Sequence, residues 1–429
     1  MPHQTPSSAK RADLPKSGLI AAVDLGSSKA AALIARLDGE GGIKVLGFGH
    51  QSAKGIANGV IVDLDAAEAC IRSTVALAEQ MAGETVRDVV VGVSAGLASK
   101  IVSFNLDISG HEIGPRDLAA VEGHPALLDA VPEDRALLHR IAVAYRIDGC
   151  RSVKDPRGMF GERLFVNMHV LSADANNLRT LDTAFARSHL NPVLHVAQPH
   201  AAALGALTPD DLKLGATLID LGAGTTSVAV FMDGELVHAS VIRGGGARVT
   251  EDIACGFSTP IDYAERMKTL WGSVIPSGSD DRQVLSVPQI GADASGEPDR
   301  DFPRSMLTTV IRPRLEEIFE CVADRLDRAG FSGGVGRAVV LTGGAAQLSG
   351  VRDLAADSLG RQVRIARPRP ISGLPDAASS PSFSACVGLL LACQDSKLLP
   401  PAFADGAHVQ GRTGAISRFG QWLRDNFWS

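Results

Sequence analysis

Asp24 and Asp220 each end an apolar run and each precede a glycine-bearing turn. Residues 19–34, LIAAVDLGSSKAAALI, pass from an apolar strand through Asp24-Leu25-Gly26-Ser27-Ser28 into a second apolar strand. Residues 216–231, ATLIDLGAGTTSVAVF, repeat the plan through Asp220-Leu221-Gly222-Ala223-Gly224-Thr225-Thr226. Glycines let backbone N–H groups approach phosphate oxygens, and a strand-end aspartate can face a hydrated cation. Two such turns can pinch one triphosphate and its Mg2+, with Asp24 and Asp220 holding the metal mainly through water. Each turn taken alone is equally a tight β-hairpin, where Asp and Gly are common. Their repetition in one chain is what points to two related halves that face each other.

Two rival phosphate motifs fail on context. Gly222-Ala223-Gly224 would have to open a helix to serve as a dinucleotide fingerprint, yet Ser227–Phe231 reads as a strand. No GxxxxGK[ST] run occurs, which disfavours a P-loop. A third turn follows the buried strand pattern Ala338–Leu341: Thr342-Gly343-Gly344-Ala345-Ala346, leading into a helical stretch. Its bare glycine pair lets a flat adenosine lie against the backbone.

The ordered set DLGSS, DLGAGT and LTGGAAQ resembles the actin, sugar-kinase and DnaK-chaperone superfamily. That resemblance implies an α/β actin-like ATPase fold of two RNase-H-like lobes with ATP in the cleft. Gly26, Ser27, Ser28, Lys29, Gly222, Gly224, Thr225 and Thr226 would then hold phosphates, and Gly343 and Gly344 would pack on adenosine. Val196–Ala206 resembles the connecting helix of the superfamily, in which the residue at Gln198 positions the attacking water; a glutamine before proline is also an ordinary helix start. Glu265 and Lys268 stand three apart on one helix face, where look-alike proteins reach the ribose and base. A surface ion pair is the plainer reading of the same spacing.

Further segments narrow the resemblance. LTGGAAQLSGV at 341–351, KDPRGMFGERL at 154–164, Glu251-Asp252-Ile253-Ala254 and Phe383–Leu390 are similar to the FtsA family of actin-like bacterial cell-division proteins, over roughly residues 18–396 and again at the C-terminus. From about Asp88 to Val170, strand-like VVVGVSA, a DLAAVEGHPALLDAV helix, and strand-like LHRIAVAYRI and RLFVNMHVL form a compact α+β insertion. In the family this subdomain serves protomer contacts and recruitment of later division proteins. The expected divisions are a leading tail at 1–17, subdomain 1A at 18–87 and 171–209, inserted subdomain 1C at 88–170, subdomain 2A at 210–250 and 335–396, subdomain 2B at 251–334, a linker at 397–412 and an amphipathic helix at 413–429. Residues 276–300 read as a further flexible stretch. The resemblance places the FtsZ C-terminal peptide near Arg304, read as a basic loop residue before a Met306–Arg325 helix pattern.

The C-terminal pattern carries its own physics. Ile416, Phe419, Leu423 and Phe427 form one stripe of a 3.6-residue period, flanked by Trp422 and Trp428, with Arg418 and Arg424 off the stripe. Two of the three tryptophans fall in the last eight residues of a chain that is 4% aromatic. Aromatics favour the headgroup boundary and arginines meet anionic lipid phosphates. Four large apolar side chains at ~1.5 kcal/mol each, less the cost of ordering the helix, give modest affinity per copy. Polymerisation would multiply it by avidity. The plainer alternative docks this helix on its own globular body.

Composition bounds the rest. A chain of 429 residues exceeds one core, and a net charge of -6 offers nucleic acid no general attraction. Six scattered cysteines with no CxxC pair read as reduced thiols, and Pro2, Pro6 and Pro15 interrupt any signal-peptide core. No apolar run approaches the ~20 residues that span a bilayer, so membrane contact is expected to be peripheral. Ser227 stands where many superfamily ATPases have an acid, and Ala223 replaces a usual glycine. Serine cannot act as a carboxylate base, so ATP binding with slow hydrolysis is expected. The reading is a filament-forming division protein on the cytoplasmic face of the inner membrane, at the septum. A pilus-assembly PilM-like scaffold, or a DnaK- or sugar-kinase-type ATPase, is the alternative.

Overall fold

The computed structural model describes residues 18–37, 42–149, 152–291, 299–331, 338–394 and 398, so the expected tails at 1–17 and 413–429 lie outside the described residues. Strand β1 (Leu19–Leu25) is apolar at every position except Asp24 because both its faces are covered. Ile20 and Ala22 enter one core, while Leu19, Ala21, Val23 and Leu25 enter another. β2 (Lys29–Leu37) and β3 (Ile43–Ser52) continue an antiparallel meander; β4 (Ile56–Ala57) and β5 (Val60–Ile61) pair in a small hairpin. β6 (Asp88–Val93) joins β1 in parallel and gives the sheet order β10-β6-β1-β2-β3, once β10 (Asn191–Ala197) arrives.

Between β6 and β10 the inserted unit carries β7 (Ala98–Asp107), β8 (Arg135–Ile147) and β9 (Arg163–Asp174) in the order β7-β9-β8. Three expectations change in and around these segments. The VVVGVSA strand belongs to the first lobe and not to the insertion, since Val89–Val91 pair with Ala21–Val23 in the buried sheet. The single DLAAVEGHPALLDAV helix is two, Pro115–Glu122 and Pro125–Asp129, because Pro125 forces His124 out of helical geometry (φ -62, ψ 132). Residues 276–300, read as flexible, include a 3-10 turn at Asp280–Arg282 and the start of a hairpin.

The second lobe repeats the first. β11 (Ala216–Leu221), β12 (Thr225–Met232) and β13 (Glu235–Arg243) form the meander; the hairpin β14 (Val284–Val287) with β15 (Arg300–Pro303) intervenes; β16 (Ala338–Thr342) and β17 (Gln362–Ile365) add in parallel, giving β13-β12-β11-β16-β17. Leu285 and Val287 of the hairpin point inward while Val284 is exposed, the period-two pattern of a half-buried strand. Helices Gly246–Phe257, Ile261–Trp271 and Arg304–Arg328 cover the outer face of this lobe. Between the two sheets lie the helices Gln198–Ala206 and Ser384–Ala392, buried on all sides and therefore without amphipathic patterning. Leu398, placed by sequence in the linker, is buried in the same core at 4% exposure.

Histidines fasten the insertion to both lobes. His139 Nε2 accepts the Ala197 N–H at 2.9 Å; Ser99 Oγ meets His169 Nε2 at 2.7 Å and accepts the Ala239 N–H at 3.2 Å. Burial pushes both imidazoles down to about 3, helped by His200 and His195 beside His139 and by His238 beside His169. Both stay neutral when folded and gain a proton on unfolding, so their contribution to stability falls as pH drops below 6.5. His139→Gln keeps an acceptor for Ala197 without titrating. Chemical denaturation is expected to show a stability loss between pH 7 and pH 5 smaller than wild type by about 2 kcal/mol.

Candidate functional site

The strand-turn-strand units of the two lobes meet across one cleft. Gly26 N–H donates to the Lys29 carbonyl at 2.9 Å and Gly222 N–H to the Thr225 carbonyl at 3.0 Å, so each turn is a closed hairpin end. The turns touch: a Cβ on Gly224 would collide with the Ser27 side chain of the opposite lobe. Gly343 holds φ +94, a left-handed conformation, and lies against the Asp220 carboxylate and Leu221 carbonyl. Between these turns opens a cavity of about 710 Å3, a volume suited to a small ligand.

Asp24, Gly26, Ser27, Ser28, Lys29, Gln198, Asp220, Gly222, Gly224, Thr225, Glu265, Lys268, Gly343 and Gly344 line this cavity. Thr226 does not. Successive residues of β12 face opposite ways, and the Thr226 hydroxyl is buried, donating to the Gly244 carbonyl at 2.9 Å. Arg304 also departs from expectation. It is the first residue of the helix Arg304–Arg328, not a loop residue, and it lines the cavity with internal hydrogen-bond partners. Ser94, Gln347, Ser349 and Ser382 also line the site; Gln347 and Ser349 follow directly on the third glycine turn, while Ser94 and Ser382 are brought in by the tertiary fold. The membrane-facing set Ile416, Arg418, Phe419, Trp422, Leu423, Arg424, Phe427 and Trp428 lies outside the described residues.

Electrostatics concentrate at the cleft floor. Desolvation raises Asp24, offset by the Lys29 charge and by Gln198, whose Nε2 donates to Asp24 Oδ1 at 2.9 Å. Asp220 is pushed up to about 7, first by desolvation and then by the Asp24 charge, with Lys29 opposing. Lys29 itself is lowered by burial, its ammonium donating to the Ser382 carbonyl and sitting 3.3 Å from the Phe383 ring centroid. A buried and a half-buried carboxylate sharing one lysine make a site in which a hydrated divalent cation would complete the charge balance. Farther out, Lys268 Nζ bonds Glu265 Oε2 at 2.6 Å, Thr250 Oγ1 at 2.7 Å and the Gly246 carbonyl at 2.9 Å. The two sequence readings of that pair are compatible: Glu265 and Lys268 form an ion pair and line the cavity.

Comparison with known proteins agrees with this geometry. A family profile described as "Cell division protein FtsA" matches residues 217–388, and one described as "SHS2 domain inserted in FTSA" matches residues 95–172. The insert therefore begins after β6, as the strand pairing requires. The chain is 41% identical to Cell division protein FtsA of Rhizobium meliloti (strain 1021), across 100% of this chain and 98% of that protein. It is 30% identical to the protein of the same name from Escherichia coli (strain K12), across 95% and 98%. Among solved structures it is similar to the PilM-PilN type IV pilus biogenesis complex (TM-score 0.63, 16% identity, 90% of this chain and 100% of that one). It is also similar to MreB5 of Spiroplasma citri bound to ADP (0.55, 15%, 89% and 98%) and to the MamK double helical filament (0.52, 14%, 89% and 99%). These likenesses place the fold among the actin-like ATPases.

Proposed function

The chain belongs to the FtsA family of cell division proteins, and from that premise we propose that it is an ATP-binding, filament-forming scaffold that joins the FtsZ ring to the cytoplasmic face of the inner membrane and recruits later division proteins. The observation that carries the nucleotide part is the apposition of Ser27 and Gly224, with Asp24 buried and Asp220 half-buried behind them and Gly343-Gly344 beside them in one cavity. Asp24 and Asp220 hold Mg2+ largely through water. The two turns bind phosphate through backbone N–H groups and the Ser27, Ser28 and Thr225 hydroxyls.

Turnover is slow in this reading. Asp24 fixes Gln198 by a hydrogen bond, and Ser227, buried opposite Asp220 in the hairpin register, offers no carboxylate base. Fast hydrolysis by purified protein would contradict it. Among the described residues no helix is long and apolar enough to cross a membrane, and attachment is assigned to the aromatic and arginine pattern of 413–429. Later division proteins are recruited through the inserted subdomain. The FtsZ C-terminal peptide is assigned to the surface around Arg304, the first residue of the helix Arg304–Arg328.

The test is co-sedimentation with anionic liposomes, with and without FtsZ, in the presence of Mg-ATP. Wild type is expected to pellet with the liposomes and to carry FtsZ down. Arg418→Glu with Arg424→Glu, or Phe419→Ser with Trp422→Ser, is expected to leave both proteins in the supernatant. Unchanged sedimentation of either double variant would rule out attachment by the tail.

A further inference from the structure

Positive charge collects where the insertion meets the second lobe. Lys100 of β7, in the insertion, lines one cavity of about 400 Å3 with Arg325 and Arg328, from the last turn of the helix Arg304–Arg328. No acidic residue is part of that lining. Arg328 lies 4.0 Å from Asp324, an exposed pair, while among the described residues Lys100 and Arg325 form no ion pair. His238 of β13 also borders the cavity. Desolvation and then the Arg325 charge push it down to about 4, so it adds no charge near pH 7.

We propose that this cavity is a second ligand site that takes the phosphoryl group of a small organic phosphate and through it ties the insertion to the second lobe. It shares no lining residue with the cleft between the lobes, and the inference does not depend on the ATP reading. Three cations brought together by two elements repel one another, and a phosphoryl group of about two negative charges offsets that repulsion. Arginine forks bond phosphate oxygens in pairs, and the lysine adds a point charge. Ile101, Val237 and Phe331 give the same cavity an apolar side, which a bare ion would leave unused. Its volume is that of a small-molecule site rather than of an extended groove.

The plainer role for Arg325 and Arg328 is to offset the carbonyl end of their own helix. That role makes no use of Lys100, which stands on a strand of another subdomain. Lys100→Gln and Arg325→Gln, made separately, decide between the two. Both residues are exposed, so neither change opens a core. Full-length protein is titrated calorimetrically with inorganic phosphate and with phenyl phosphate at constant ionic strength. Wild type is expected to bind phenyl phosphate about tenfold more tightly than inorganic phosphate, through the apolar side. Each variant should lose about tenfold for both ligands, and Lys100→Arg, which keeps the charge, should stay within about twofold of wild type. A loss in only one of the two glutamine variants would overturn the bridge between insertion and lobe. Losses in neither would place the anion elsewhere, equal affinity of wild type for the two ligands would remove the organic phosphate, and no binding of either would remove the site.

Discussion

Asp220→Asn is expected to abolish Mg-ATP binding while making the nucleotide-free protein more stable at pH 8. Asp220 is carried to about 7 in the fold from an ordinary 3.8, chiefly by desolvation and then by the Asp24 charge. Its folded value is raised, so the stability it contributes is fully present below the unfolded value and is lost as pH rises through 7. A shift of about three units corresponds to a loss on the order of 4 kcal/mol by pH 8. Asp24 is raised in the same direction, so the loss belongs to the pair. Asparagine keeps the shape and removes the charge. The slope from pH 6 to pH 8 in denaturant titrations should flatten in the variant, and Mg-ATP should raise the midpoint of wild type only. A variant that binds Mg-ATP normally would refute the metal role of Asp220; an unaltered slope would refute the burial argument. His139 and His169 act with the opposite sign, losing stability as pH falls, so the ligand-free protein should be most stable near neutrality.

Much of the cleft could be read from the sequence because its parts are local. A strand, an aspartate and a glycine turn followed at once by a second strand form a hairpin within one stretch of chain, as in the register Asp24↔Ala31 and Asp220↔Ser227. Their repetition implied two halves, and the sheets do share one strand order. The errors came where position depends on distant partners. β6 was given to the insertion because an apolar run does not say that its neighbours are Ala21–Val23, nearly seventy residues earlier. Thr226 was counted as phosphate-binding because two adjacent threonines look alike until alternation sends one to Gly244. Arg304 read as a loop residue because nothing in its neighbourhood reveals that Trp271 and Gln283 will receive it. The hairpin β14–β15 was missed because its pairing joins residues at the two ends of a polar stretch with glycines and prolines that reads as flexible.

The largest stability effect is expected where two helices cross without side chains. Gly205 in Gln198–Ala206 lies against the Ser384 carbonyl and the Gly388 amide, and Gly388 in Ser384–Ala392 lies against the Ala201 carbonyl and the Gly205 amide. Both helices sit between the sheets and join the shared core to each lobe. A methyl group on Gly388 would strike backbone atoms, so rotation of a neighbouring side chain cannot relieve it, and the helices must separate. Gly388→Ala should therefore cost on the order of 3 to 5 kcal/mol. The damage should also reach the cleft, because Gln198, the first residue of the displaced helix, bonds Asp24 at 2.9 Å. Gly256→Ala supplies the contrast. It lies in the helix Gly246–Phe257, where the new methyl would meet Val310 Cγ2 at an ordinary 3.4 Å. Helix propensity alone then predicts a gain of up to ~1 kcal/mol. Thermal denaturation of the two variants should move in opposite directions from wild type. If Gly388→Ala proves as stable as wild type, the helices can part without loss, and the crossing is not what holds the two lobes in register.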